Sequence, residues 1–279
     1  MSIREIEKLA ISRVEEILSS AKNVRHVSLV KTKHTGFSYN IIAKIEDDEK
    51  EKKFIIKISY DIDNVSREDI IDLTVLSKVT SAIPIIIGFR EGSEELRDDV
   101  VYRKMGVVAL SITAFKRVIE GQPLRLVKDR GIIKAKIHGE KLRLKREMLG
   151  LSLGDLARVL HVTRKTVYEY ERGNLEASER TARLIISLFG EDVLEEVSLE
   201  PKFEYQVRYL ETRKIDVKEV RERYSLPEAK EAYRLKKSHA NIAVFGGKER
   251  YLIVPRDRDM DEVRRVAEVL DVQTLINGN

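Results

Sequence analysis

Residues 140–173 read EKLRLKREMLGLSLGDLARVLHVTRKTVYEYERG. Leu142 and Leu149 are seven residues apart with Met148 beside the second, the spacing of one apolar stripe on a first helix that stops at Gly150. Ser152 suits an N-cap and Asp155, three residues on, suits the positive end of a helix dipole, so a second helix starts there and buries Leu156, Ala157 and Leu160. His161 and Val162 make the next turn. Thr163 caps a third helix whose Val167 and Tyr170, at i and i+3, face inward.

That third helix leaves Arg164, Lys165, Thr166, Tyr168 and Glu169 pointing outward. An α-helix fits the major groove of duplex DNA, where arginine and lysine donate to guanine O6 and N7 and glutamate accepts from cytosine N4. Arg164, Lys165 and Glu169 are therefore the base-reading candidates. The competing expectation is a helical hairpin used only for protein contacts.

Through Leu-Ser-Leu-Gly-Asp-Leu-Ala from 151 and Thr-Arg-Lys-Thr-Val-Tyr-Glu-Tyr-Glu-Arg-Gly from 163, the stretch resembles the phage Cro and repressor type of helix-turn-helix. The resemblance implies a structural ion pair between a first-helix arginine, here Arg146, and the glutamate before the closing glycine, here Glu171. It also implies phosphate contacts, for which the candidates are Arg143, Lys145, Ser152, Thr163, Thr166, Tyr168 and Arg172. Two positions depart from the family pattern. Leu153 stands where a phosphate-touching glutamine is frequent, and His161 stands at the turn glycine, although histidine enters the left-handed region more readily than most residues.

Composition agrees with a nucleic-acid partner. The 279-residue chain carries a formal net charge of +5, yet residues 125–146 hold nine basic side chains against Asp129 and Glu140. That run is +7, so the remainder sums to −2. Charge concentrated before and along the first helix is placed where a phosphate backbone would pass, and counterion release would make binding fall steeply with salt. Cysteine is absent, which excludes disulfides, thiolate metal sites and cysteine nucleophiles. No apolar run reaches membrane-span length and the opening Met-Ser-Ile-Arg-Glu-Ile-Glu lacks a signal-peptide layout, so a cytoplasmic protein without membrane contact is expected.

Upstream, short β-branched runs at 24–30, 39–45 and 54–58 precede an amphipathic helix over about 66–79 and a buried strand at 83–87. Strands at 100–102 and 107–110 and a helix over about 112–120 follow, with Gly121-Gln122-Pro123 as the exit. This order, with Lys57 after the third apolar run, resembles the PD-(D/E)xK nuclease fold of restriction enzymes. The resemblance implies one acidic residue on the second strand and another two positions before the lysine, a pair that holds Mg²⁺. Asn40 and Ile55 occupy those positions. Glu46, Asp47, Asp48 and Glu49 in a turn and Asp61 and Asp63 after the strand do not replace them, so a catalytically inactive domain is expected, with no metal and no cofactor.

Lys33-His34 leading to Asn40-Ile41-Ile42-Ala43 recurs as Lys237-Ser238-His239-Ala240-Asn241-Ile242-Ala243. Tyr251–Val254, a helix over about 260–270 and Gln273–Ile276 continue the parallel, with Val254 at the lysine position. His34 and His239 are read as capping or surface residues. Residues 195–230 are charged and partly helical, a linker or dimerisation element with Tyr205, Tyr209 and Tyr224 as packing contacts.

The expected fold class is α/β plus all-α: a restriction-endonuclease-like α/β domain (1–124), a Cro-type helix-turn-helix bundle (125–195), and a linker with a shorter α/β domain repeating the first (196–279). The layout resembles archaeal Cro-type transcriptional regulators. It implies a non-enzymatic, dimeric, sequence-specific binder of double-stranded DNA. A Mg²⁺-dependent nuclease targeted by the helix-turn-helix, and a DNA-bound scaffold without sequence preference, are the alternatives.

Overall fold

The computed structural model describes residues 2–21, 26–34, 36–46, 51–201 and 207–277. The chain gathers into two compact units, one formed by 1–96, 104–121 and 199–279 and the other by 97–103 and 122–198. The first opens with α1 (Ile3–Ser19), started by a capping box between Ser2 and Glu5 and burying Ala10, Val14, Ile17 and Leu18 at helical spacing. Strands β1 (His26–Lys31), β2 (Ile41–Glu46) and β3 (Glu51–Asp61) then pair antiparallel in sequence order. Val24, Asp47, Asp48 and Glu49 lie outside the described residues.

From β3 the chain crosses through α2 (Arg67–Thr80) to β4 (Ile83–Glu91), which lies parallel to β3. A short β5 (Glu94–Glu95) turns back on β4. After β6 (Val100–Lys104), most of which belongs to the second unit, β7 (Val107–Leu110) adds parallel to β4 and α3 (Ile112–Ile119) closes the segment. The parallel strands read as continuous apolar runs because both faces are covered: Phe54, Ile55, Ile56, Ile85, Ile86 and Ile87 are all buried. Helix α2 departs from the expected amphipathic pattern. Eleven of its fourteen residues are buried, among them Asp69, Asp72, Thr74, Ser77 and Thr80, because the helix is covered on more than one side.

In the second unit β6 runs parallel to β8 (Leu126–Asp129), and β9 (Ile132–Lys136) folds back on β8. The hairpin turns on Arg130 and Gly131, both at positive φ (51° and 81°), the geometry a two-residue turn needs to match strand twist. Four helices follow: α4 (Gly139–Met148), α5 (Leu153–Leu160), α6 (Arg164–Glu171) and, after β10 (Glu176–Ser178) has paired with β9, α7 (Glu179–Phe189). The apolar stripe expected on α4 is only partly formed. Leu142 is buried, but Met148 and Leu149 are 84% and 58% exposed. The helix ends at Met148, and the inward position one turn after Leu142 is taken by Arg146.

The rest of the chain returns to the first unit. Helices α8 (Val207–Glu211) and α9 (Val217–Tyr224) lead into a sheet of β11 (Glu231–Arg234), β12 (Ile242–Gly246), β13 (Glu249–Val254) and β14 (Gln273–Ile276). The first three pair antiparallel, and α10 (Met260–Leu270) crosses over to place β14 parallel to β13. Residues 207–230 are folded into this unit: Val220 and Leu226 join Ala232, Val244 and Ile253 in one apolar cluster. Tyr224 donates to Asn277 at 2.7 Å and Tyr209 lies under the Arg67 guanidinium, while Tyr205 is outside the described residues.

The N-terminal and C-terminal parts of this unit dock reciprocally. Helix α2 packs on β12, and α10 packs on β1 and β2. At the α2 N-terminus the Lys237 ammonium reaches Ser66 Oγ (3.1 Å) and Asp69 (3.2 Å). At the α10 N-terminus the Lys33 amide donates to Glu262 (3.3 Å) and its ammonium sits 3.5 Å from Asp259.

Candidate nucleic-acid interface

Local capping rules build the helical module of the second unit. The Ser152 hydroxyl accepts from the Asp155 amide (3.1 Å) while the Ser152 amide donates to the Asp155 carboxylate (3.0 Å), closing both ends of a capping box. Helix α5 buries Leu156, Ala157 and Leu160, then ends at His161 in the left-handed region (φ 57°). Thr163 caps α6 by accepting from the Thr166 amide at 3.1 Å, and Val167 and Tyr170 close the core. Gly139, the first residue of α4, lies so near the end of α6 that an added Cβ would stand 2.3 Å from the Glu171 carbonyl oxygen.

One buried ion pair fixes the same corner. The Arg146 guanidinium donates to both carboxylate oxygens of Glu171, at 3.1 Å for the Nη2 contact, and to the Leu151 carbonyl at 2.8 Å. Its charge is held by the Glu171 hydrogen bonds, and it ties α4 to α6 across the turn that begins α5. With its partner present the arginine is satisfied; without it a buried charge would be stranded.

The outward face of α6 sorts into free and engaged groups. Arg164 and Lys165 are exposed, with no hydrogen bond or ion pair among the described residues. Glu169 accepts from Asn174 Nδ2 at 2.7 Å, Tyr168 accepts from Arg172 at 3.2 Å, and the Thr163 and Thr166 hydroxyls share a 2.9 Å bond. On α4, Arg143 pairs with Glu147 at 3.0 Å. Lys145 is engaged internally: its ammonium donates to the Phe189 carbonyl (2.6 Å) and to Asp192 (2.5 Å), fastening α4 to the end of α7.

The basic run of 125–146 does not form the free positive stripe that its composition suggests. Lys134 pairs with Glu176 and Lys136 with Glu195, Arg125 donates to the Leu194 carbonyl, and Lys128 lies over the Tyr102 ring. Acidic residues far along the chain supply these partners, so counting charge over a window overstates the field at the surface.

This geometry meets its counterparts among known proteins. Residues 142–195 match the helix-turn-helix family and residues 7–124 match the PD-(D/E)XK superfamily domain. A protein of Pyrobaculum aerophilum named "Putative HTH-type transcriptional regulatory protein" is 35% identical, over 85% of this chain and 93% of its own length. The chain belongs to this regulator family. Relatives under the same name from Sulfolobus acidocaldarius (32% identical, 68% of this chain, 60% of the relative) and Aeropyrum pernix (34%, 52% and 44%) are longer, so the chain spans less than two thirds of each. Among solved structures, the clp gene regulator ClgR from Corynebacterium glutamicum matches 32% of this chain and 89% of its own at 24% identity. Its TM-score of 0.18 is too low to bear on the fold.

Within the PD-(D/E)XK segment, Asn40 and Ile55, the residues that the sequence resemblance sets against a nuclease's carboxylates, are built into the sheet itself. The Asn40 amide donates to the Ile56 carbonyl (2.8 Å), and Asn40 Oδ1 accepts from the Ile58 amide (2.7 Å). Ile55 is fully buried. The Lys57 ammonium donates to the Phe37 carbonyl at 2.7 Å, and burial pushes its pKa down against the nearby Asp69 carboxylate. Among the described residues, no group of three or more His, Asp or Glu is placed to hold a metal ion, and no helix is long and apolar enough to cross a membrane.

Beside that site lies a polar cluster that sequence reasoning misread. His239 is buried rather than on the surface. Its Nε2 lies 2.9 Å from Glu262 and its Nδ1 faces the Tyr39 hydroxyl, which also touches Ser238 at 3.3 Å. Burial pushes the Tyr39 phenol up to about 12 and the His239 imidazole down. Burial alone would raise the Glu262 carboxyl, but hydrogen bonds from Thr32 and His239 hold it below the usual range. Exposed His34 packs at a tilt against Phe37, with ring centroids 4.7 Å apart.

Proposed function

We propose that this chain is a cytoplasmic, sequence-specific regulator that binds double-stranded DNA as a homodimer and reads the major groove with α6. The observation that carries the reading is the contrast on α6. Its inner face is closed by Val167 and Tyr170, whereas Arg164 and Lys165 project from its first turn without internal partners among the described residues. In a Cro-like arrangement these two side chains and Glu169 select bases. Ser152, Thr163, Thr166, Tyr168, Arg172 and Arg143 hold phosphates, with Lys145 contributing only by giving up its contact with Asp192. One such helix reads few base pairs, and two copies at half-sites about one helical turn apart supply the rest.

We further infer that the three parts are a nuclease-like 1–124 without catalysis, a DNA-binding 125–195, and a 196–279 segment containing a shortened copy of the first. The copy is supported by matching strand pairing, by Asn241 donating to the Ile253 carbonyl (3.0 Å) as Asn40 donates to that of Ile56, and by the reciprocal lysine contacts at the α2 and α10 N-termini. Asn40 and Ile55 support the absence of catalysis.

The test is selection of binding sites from a random duplex pool, then titration of the winning and scrambled duplexes at matched physiological salt with Mg²⁺ present. The expected result is a two-fold symmetric motif bound far more tightly than the scramble, with intact DNA. No enrichment would instead favour a scaffold, and cut DNA a nuclease.

A further inference from the structure

In the first unit a cleft of about 640 Å³ opens beside the first turn of α2 and against the segment joining α8 to α9. That volume lies within the range of small-ligand sites. Its walls are firm. The Arg234 amide donates to the Arg213 carbonyl (2.7 Å) and the Ile215 amide to the Ala232 carbonyl (2.9 Å), so residues 213–215 run beside β11 as a short ribbon. The opposite wall is the α2 N-terminus, the positive end of a fourteen-residue helix.

Five cationic side chains line the cleft, Arg67, Arg213, Lys214, Arg234 and Lys236, against the carboxylates of Glu68 and Asp216. The carboxylates are already divided. Glu68 serves both Arg213 and Lys236, and Asp216 accepts from the Lys218 amide to cap α9. Lys214 has Glu211, and Arg213 has Asp72 at 3.5 Å as a further partner while its Nη1 has none. Two guanidiniums remain without a carboxylate among the described residues. The Arg67 guanidinium lies over Tyr209, 4.9 Å from the ring centroid, and Arg234 is exposed at the other wall.

We propose that this cleft binds a small phosphate-bearing anion, held between Arg67 on α2 and Arg234 at the end of β11. Guanidinium forks match phosphate oxygens in pairs, and cations on facing walls suit a group carrying two negative charges. Bridging the walls would tie the N-terminal and C-terminal parts of the unit to each other. The site uses none of the residues assigned to DNA, so it stands independently of the regulator reading.

Inorganic pyrophosphate is the probe, titrated calorimetrically into the full chain at low salt. The expected result is one saturable site per chain, weakened at least about tenfold in R67A and in R234A, about 1.4 kcal/mol each. A chain carrying R164A and K165A on α6 should bind as the parent does. Pyrophosphate should also raise the thermal midpoint of the parent and not that of the R67A/R234A double variant, because a ligand selective for the folded state stabilises it. Both arginines are exposed, so their loss should not unfold the unit. The absence of saturable binding, equal affinity in the double variant, or loss of binding in the α6 variant would each overturn the proposal. Competition by a short oligonucleotide that persists in the α6 variant would also overturn it, making the cleft a nucleic-acid contact instead.

Discussion

Ser152, His161 and Thr163 each obey a rule that needs only a few neighbours, and each was legible in the sequence: two helix caps and one left-handed turn. Arg146 and Glu171 were legible only through the family resemblance, since nothing local pairs residues 25 apart. The internal engagement of Lys145 was not legible, because its partner, Asp192, lies still farther along the chain. These distinctions set the expected outcomes of substitution. Arg164→Ala removes a free side chain at the α6 N-terminus, so it should cost about 1–3 kcal/mol of discrimination between the selected site and its variants, with folding unchanged. Equal losses on selected and scrambled DNA would mark Arg164 as a phosphate contact. Glu171→Ala strands the Arg146 charge and should cost about 3–5 kcal/mol in urea unfolding of the helical module. A loss below about 1 kcal/mol would mean that water reaches the guanidinium in the variant.

At the scale of elements, period and composition located most of the helices and strands but not their surroundings. The hairpin of β8 and β9 is signalled by Asp129-Arg130-Gly131 between apolar pairs, a signal that the basic residues of the same run mask. Helix α7 is signalled too, since Ser178 caps it and Ala182, Ile185 and Phe189 follow at helical spacing. The amphipathic period of α2 does not show that the helix is covered on more than one side, and the sequence around His239, which suggests a capping or surface residue, does not show Tyr39, 200 residues earlier, covering it. That cluster predicts acid sensitivity. Burial depresses the His239 pKa below 6.5, so unfolding takes up a proton, and the stability this provides is complete above pH 6.5 and lost as pH falls towards the folded value. The Glu262 pKa is also depressed, below 4.5, so its contribution is lost in a second, more acidic window. Urea unfolding at successive pH values should therefore show stability falling on acidification, and His239→Asn should flatten the first decline. An unchanged slope in that variant would assign the decline to other groups. Arg258 and His34, which also disfavour the imidazolium, are the neighbours to vary next.

Across the whole molecule, the contacts that assemble the first unit join segments some 200 residues apart, and no window of sequence displays them. Ser38 donates to the Lys237 carbonyl, Asp72 accepts from the Lys236 and Lys237 amides, and Lys44 pairs with Asp271. The internal repeat hinted that two similar segments exist; only the fold places each one's crossover helix on the other's sheet. Neither segment then has a complete core alone, because the buried Asp69 and Asp72 of α2 are hydrogen-bonded by Lys237, and the buried Glu262 of α10 by the Lys33 amide. Uncovering such groups would add a desolvated polar surface to the loss of apolar burial. The two segments should accordingly open as one cooperative unit. Native-state hydrogen exchange across a denaturant series measures this directly: amides of β2, β3 and β4 should merge with those of β12 and β13 into a single opening free energy. If the C-terminal amides instead exchanged through a lower-energy opening while β2–β4 stayed protected, reciprocal docking would be an accessory contact, and the first segment would be a domain that folds alone.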